Sequence, residues 1–219
     1  RVSSAFAELL SIPQEPNPQK RLEGVLRYLI GMGRQEDLLL NHKPCNPILG
    51  EIHKSRIDHD DGTFTYVLCE QTVHHPPTSA FELHNPTHGV TLSGNMNFGV
   101  LFHSNSVSVA TKGGLKLRLR LPDGSEELYL MEEGIPDMLL KNVIFGTKYV
   151  FWDGSLHINC PQSGFHSQMA FTNRDGKNMI QGVIWNEHYS GKALPPATEQ
   201  TVGWGSWLIS PKSWFAGHP

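Results

Sequence analysis

From Glu51 onward the chain alternates with a period of two, and this feature most limits what it can fold into. Leu115, Leu117, Leu119 and Leu121 alternate with Lys116, Arg118 and Arg120, the pattern of a half-buried strand with a cationic outer face. Pro122-Asp123-Gly124 reads as a turn, after which 127–131 runs back as the hairpin partner. Asp61-Gly62, Asp153-Gly154 and Asp175-Gly176 mark further turns. They separate strands expected over 63–69, 149–152, 156–159, 167–172 and 179–185. Many short strands joined by tight turns predict a meandering antiparallel sheet that curls into a barrel.

The first fifth follows a different period. Asn17-Pro18 supplies an N-cap followed by proline at the first helical position. Leu22, Val25, Leu26, Leu29 and Met32 then recur at helical spacing, and Gly33 closes the helix. A shorter amphipathic stretch sets Phe6, Leu9 and Leu10 on one side before Pro13 stops it. Leu38 to Leu40 are apolar, and Pro44 and Pro47 end the helical region. The fold class expected is therefore mainly β with N-terminal helices: one domain over 1–219, with a helical entrance at 1–42 and a β-barrel portion at 43–219.

Composition narrows the function classes. A net charge of −3 gives no whole-chain reason to expect nucleic acid. Cys45, Cys69 and Cys160 are far apart and form no C-x-x-C pair, which points to a reducing compartment and away from a cysteine zinc site. No apolar run reaches the ~20 residues that span a bilayer, so any membrane contact is expected to be peripheral.

Two segments carry chemistry. In Lys43-Pro44-Cys45-Asn46-Pro47-Ile48-Leu49-Gly50-Glu51, two prolines and a glycine hold an extended, turning backbone. Such a loop either presents Lys43 and Asn46 to an anion or simply connects helix to strand with a solvated lysine. In Glu70-Gln71-Thr72-Val73-His74-His75-Pro76-Pro77, adjacent histidines on an extended backbone point to opposite sides. Stiffened by the prolines, they either donate hydrogen bonds to phosphate oxygens or merely cap a strand end.

The second segment resembles the E-Q-V-S-H-H-P-P fingerprint of the oxysterol-binding protein family. The first resembles the K-P-x-N-P-x-x-G-E element that precedes that fingerprint, and the order and spacing agree. Looser similarity continues through Thr78-Ser79-Ala80-Phe81, Trp152-Asp153-Gly154 and the helix around 21–32. The resemblance implies an incomplete antiparallel barrel around a lipid tunnel, in a protein that is not an enzyme and needs no cofactor or metal. It implies sterol or another lipid carried in exchange for phosphatidylinositol 4-phosphate between membranes, by a cytoplasmic protein associated peripherally with those membranes. Carried over by position, Lys43, Asn46, His74 and His75 contact the headgroup and Glu51 fixes the loop.

The chain departs from the family in several places. Thr72-Val73 stands where the family has Val-Ser. The lid that closes the tunnel is shortened at best to 2–13. A later K-x-x-x-E-x-x-R helix has no counterpart; the late basic residues are Lys148, Arg174, Lys177, Lys192 and Lys212. A last strand expected around 202–209 would leave an open edge, which implies a longer functional domain or a covering partner. The competing readings are a relative that keeps the fold without transferring lipid, and a metal-dependent hydrolase built on the histidines and Glu70. No H-E-x-x-H or Gly-x-Ser-x-Gly occurs to support the latter.

Overall fold

The computed structural model describes residues 2–32, 47–174 and 177–187. Helix α1 (Val2–Leu10) leads through a single 3-10 turn (Ile12–Gln14) into α2 (Pro18–Met32). The start of α2 follows from its cap: Asn17 Oδ1 accepts from the amides of Gln19 at 2.9 Å and Lys20 at 3.2 Å, filling donors that a helix leaves unpaired. Phe6 and Leu9 of α1 are fully buried, as are Leu22 and Val25 of α2. All four belong to the core cluster shared with the sheet. In the segment expected as a shortened lid, Phe6, Leu9 and Leu10 are buried in this cluster, and the helix packs on α2.

Among the described residues, eleven antiparallel strands follow. The hairpin of β1 (Ile52–Asp58) and β2 (Phe64–Val73) turns at Asp61-Gly62 as expected, and β3 (Thr78–Asn85) and β4 (Val90–His103) extend the sheet. Beyond β3, the long strand β4 meets two different neighbours. Its first half pairs with β6 (Leu115–Arg120), and its second half pairs with β5 (Ser106–Lys112). Gly113, at φ +128°, makes the step between them against Asn95, whose carbonyl a Cβ there would overlap. Only glycine suits that position.

β7 (Glu126–Met131) and β8 (Asp137–Lys141) complete the two pairs and lead to β9 (Tyr149–Cys160), β10 (Phe165–Arg174) and β11 (Lys177–Asn186). The order is a meander except that β6 and β7 lie off the main path, and β1 and β11 end it. The strands ring the core partway without forming a regular barrel, in agreement with the expected fold class.

The alternation of β6 is borne out: Leu115, Leu117 and Leu119 are buried, and Lys116, Arg118 and Arg120 are exposed. One expected turn is not. Asp153-Gly154 lies inside β9, where the strand changes partner. β8 pairs up to Asp153, and β10 pairs from Gly154, which sits at φ +118°. The dipeptide marks a kink in one strand rather than a gap between two. The helix stop at Gly33, the Asp175-Gly176 turn and the strand at 202–209 lie outside the described residues.

A buried ion pair ties the helices to the sheet. Arg21 Nε and Nη2 donate to the two carboxylate oxygens of Glu127 at 2.8 and 2.6 Å, and Nη1 donates to the Glu15 carbonyl at 2.7 Å. Tyr129 completes it by donating its hydroxyl to Glu127 at 2.7 Å. The carboxylate hydrogen bond raises the Arg21 pKa further above its usual value, so the guanidinium stays charged where it is buried.

Candidate functional site

The two motifs, about two dozen residues apart in sequence, meet at one end of the β1–β2 hairpin. Gly50 N–H donates to the Gln71 carbonyl at 2.8 Å, and Gln71 N–H donates to the Glu51 carbonyl at 3.2 Å. The Glu51 side chain folds back to accept from the Ile48 amide at 2.9 Å, while Glu51 N–H donates to the Ile48 carbonyl at 3.0 Å. The loop is thereby closed on itself and fastened to β2. Lys43 and Asn46 lie outside the described residues.

His74 and His75 do not continue β2. They occupy the turn between β2 and β3, with a cis peptide between His75 and Pro76. Their rings lie 4.5 Å apart between centroids, tilted by 56°, and both residues are exposed. This corrects the expectation that the pair points to opposite sides: that rule holds for an extended strand, and here the backbone has already turned. The rings form one patch, and two imidazoles so placed can address the same anion.

The turn is held by side chains that sequence reasoning did not single out. Gln71, only 3% exposed, donates its amide to the Val73 carbonyl at 2.9 Å and accepts from the Ser79 hydroxyl at 2.7 Å. The register slips between Gln71 and Val73, which leaves Thr72 as a bulge; bulges re-aim neighbouring side chains. Thr72 donates its hydroxyl to the Thr78 carbonyl at 3.2 Å across the mouth of the turn. That hydroxyl braces the turn.

Beside this turn begins an apolar wall. Phe98 N–H donates to the Pro77 carbonyl at 3.2 Å, and from there β4 runs on past the end of β3. Residues directly opposite in a ladder share a face. Phe102, Val107, Leu140 and Val150 thus form one row, and Val100, Val109, Met138 and Trp152 form the next. The parity of β4 carries this face on from Leu92 and Met96, and Trp152 packs against the core. Along β4 that face is buried at Val90 and Leu92 and opens toward its far end. Phe98, Val100 and Phe102 remain 38%, 51% and 80% exposed, a contiguous apolar surface of the sort that marks a ligand or interaction site. Runs such as Val107 and Val109 in β5 or Met138 and Leu140 in β8 were too short to show in the sequence which face they would join.

On the opposite face lies an open cleft of about 330 Å³ lined by Leu68, Glu70, Ala80, Glu82 and Lys116. Another, of about 360 Å³, is lined by His157, Asn159, Gln168 and Trp185, the last stacked on His166 at 5.4 Å. Both are more polar than the wall. Among the described residues, no three His, Cys, Asp or Glu side chains gather where they could hold a metal ion, and no helix is long and apolar enough to cross a membrane.

Comparison with known proteins decides the family. The sequence profile described as "Oxysterol-binding protein" matches residues 3–194. The chain belongs to the oxysterol-binding protein family. It is 30% identical over 164 residues to oxysterol-binding protein 10 of Dictyostelium discoideum, covering 74% of this chain and 40% of that protein. It is 33% identical over 178 residues to human oxysterol-binding protein-related protein 8, covering 78% of this chain and 19% of that one. The chain thus spans well under half the length of either relative.

Its fold is similar to that of the Osh1 ORD domain solved with ergosterol (TM-score 0.73, 22% identity, 85% of this chain and 43% of that one). It is also similar to the Osh3 ORD of Saccharomyces cerevisiae solved with PI(4)P (TM-score 0.67, 22% identity, 87% and 50%). At that identity the likeness concerns the fold. Among the described residues, the β2–β3 turn places two exposed imidazoles beside the apolar wall that starts at Phe98.

Proposed function

We propose that this chain is a lipid carrier that holds sterol or another lipid on the apolar wall and exchanges it for phosphatidylinositol 4-phosphate between membranes. The observation that carries this reading is the adjacency of His74 and His75 to that wall through the hydrogen bond between Phe98 and Pro77. In this reading the helical segment 1–42 and the β segment 43–219 act as one lipid-binding unit of a cytoplasmic, peripherally membrane-associated protein. It makes and breaks no covalent bond, so it is not an enzyme.

A lipid gains little by moving from a bilayer to another apolar surface, since burial contributes ~25 cal/mol per Å² only relative to water. Selection therefore falls to polar groups at the mouth. His74 and His75 supply N–H donors to the phosphates there, together with Lys43 and Asn46 from the loop that Glu51 holds closed. Sterol, with a single hydroxyl, needs the wall and one polar contact. The two cargoes compete for one apolar surface, and exchange follows from that exclusion.

The reading is tested by incubating the protein with liposomes containing either lipid, sedimenting them and measuring lipid left in the supernatant. Both lipids are expected there in amounts approaching one per protein, and neither would be found if the fold had lost its cargo. Lysine acts on phosphate as a point charge. In the same assay Lys43→Glu is therefore expected to reduce phosphoinositide extraction more than Lys43→Ala does, with sterol extraction unaffected by either. Equal phosphoinositide extraction by wild type and both variants would remove Lys43 from the site.

A further inference from the structure

Two tips at the far end of the wall expose large apolar side chains together. The β4–β5 hairpin presents Leu101 and Phe102 at 60% and 80% exposure, and the β8–β9 loop presents Ile144 and Phe145 at 64% and 76%. Asn105, in the hairpin turn, joins them. Its Oδ1 accepts from the amides of Ile144 at 2.9 Å and Phe145 at 3.0 Å, and its Nδ2 donates to the Phe145 carbonyl at 2.9 Å. The Asn105 carbonyl accepts from Val143 N–H at 3.2 Å, and Asn142 Nδ2 donates to the Thr147 carbonyl at 2.9 Å.

We infer that these paired tips are a membrane-docking surface, with Ile144, Phe145, Leu101 and Phe102 entering the interfacial region of an anionic bilayer. Two observations favour a membrane over water or a protein groove. The first is that five backbone groups of the loop, the amides of Val143, Ile144 and Phe145 and the carbonyls of Phe145 and Thr147, are already paired internally. Moving a loop out of water is costly chiefly when its N–H and C=O groups go unpaired, and here the Asn105 carboxamide alone pairs three of them at the apolar tip. The second is charge. Residues 98–110 and 138–152 contain no Asp or Glu, and Lys141 and Lys148 flank the β8–β9 tip, although the whole chain carries −3. Apolar tips flanked by lysines suit anionic headgroups above acyl chains.

This inference rests on the lipid-carrier reading, for which a bilayer is both source and destination. Phe102 belongs to both the tip and the wall, so docking here would bring the end of the wall to the bilayer.

The test is flotation of the full chain with vesicles of phosphatidylcholine alone, or with a fifth of phosphatidylserine. Sterol uptake from cyclodextrin, which needs no membrane, is measured in parallel. The wild type is expected to float with the anionic vesicles. Ile144→Ser with Phe145→Ser should lower the bound-to-free ratio by at least about tenfold, and Lys141→Glu with Lys148→Glu should lower it on anionic vesicles only. Both double variants should take up sterol from cyclodextrin as the wild type does. Unchanged flotation of the serine variant overturns the inference. So does light scattering that shows a wild-type dimer split by the serine changes, since a second copy would then cover the tips. If neither protein takes up sterol while flotation still falls, the carrier reading fails and the docking surface stands.

Discussion

Replacing His74 and His75 together with alanine is expected to reduce extraction of phosphatidylinositol 4-phosphate by two orders of magnitude or more, while sterol extraction stays close to wild type. Each charge-assisted hydrogen bond to phosphate contributes roughly 1.5–3 kcal/mol, and the two rings form a single patch with centroids 4.5 Å apart, so the double variant removes two contacts proposed for the same group. Sterol should be spared, because the proposed site for it is the wall beyond Phe98 and not the turn. Both residues are exposed and the turn is braced by Gln71, Thr72 and Ser79, so the variant should keep the wild-type unfolding midpoint. Normal phosphoinositide extraction by the double variant would show that the histidines do not hold the headgroup. Equal loss of both lipids with a lowered midpoint would make them turn residues only.

The largest stability effect is expected at Glu127. Glu127→Ala leaves Arg21 charged and buried with its carboxylate partner removed, and breaking such a pair from one side costs about 3–5 kcal/mol. For a chain of this size that lowers the thermal midpoint by on the order of 10 °C or more. Arg21→Ala should cost a similar amount, because it leaves the Glu127 carboxylate with only the Tyr129 hydroxyl. The triple change Arg21→Met, Glu127→Leu and Tyr129→Phe removes every member of the network and should recover much of the loss, since it leaves no buried charge unpaired. Thermal and urea unfolding of the three variants decide the matter. A Glu127→Ala protein that unfolds with the wild type would mean that water reaches the pair and that α2 is fastened to the sheet by apolar packing alone.

These two sites differ in how legible they were. His74 and His75 stood out as a motif because their chemistry is local in sequence, yet their geometry was misread. The alternation rule belongs to strands, and nothing in His-His-Pro-Pro states where the strand stops and the turn begins. The Arg21–Glu127 pair joins residues 106 positions apart. Glu127 reads as one more polar residue in a hairpin until its parity with Tyr129 and Met131 turns it inward. Local period also recovered α2 with its Asn17 cap, as well as the β6–β7 hairpin. It failed at Asp153-Gly154, where a turn dipeptide serves a strand that changes partner. The apolar wall was invisible for a related reason: it is assembled by register across β4, β5, β8 and β9, and register is a long-range property of the sheet.

The most direct test of exclusive occupancy is displacement. Protein loaded with one equivalent of a fluorescent sterol is titrated with phosphatidylinositol 4-phosphate presented in liposomes, and sterol remaining on the protein is measured after separation. The expected result is loss of one sterol for each phosphoinositide taken up, with no complex that retains both. A protein that holds both lipids at once, or keeps its sterol while taking up the phosphoinositide, would contradict a single shared apolar wall.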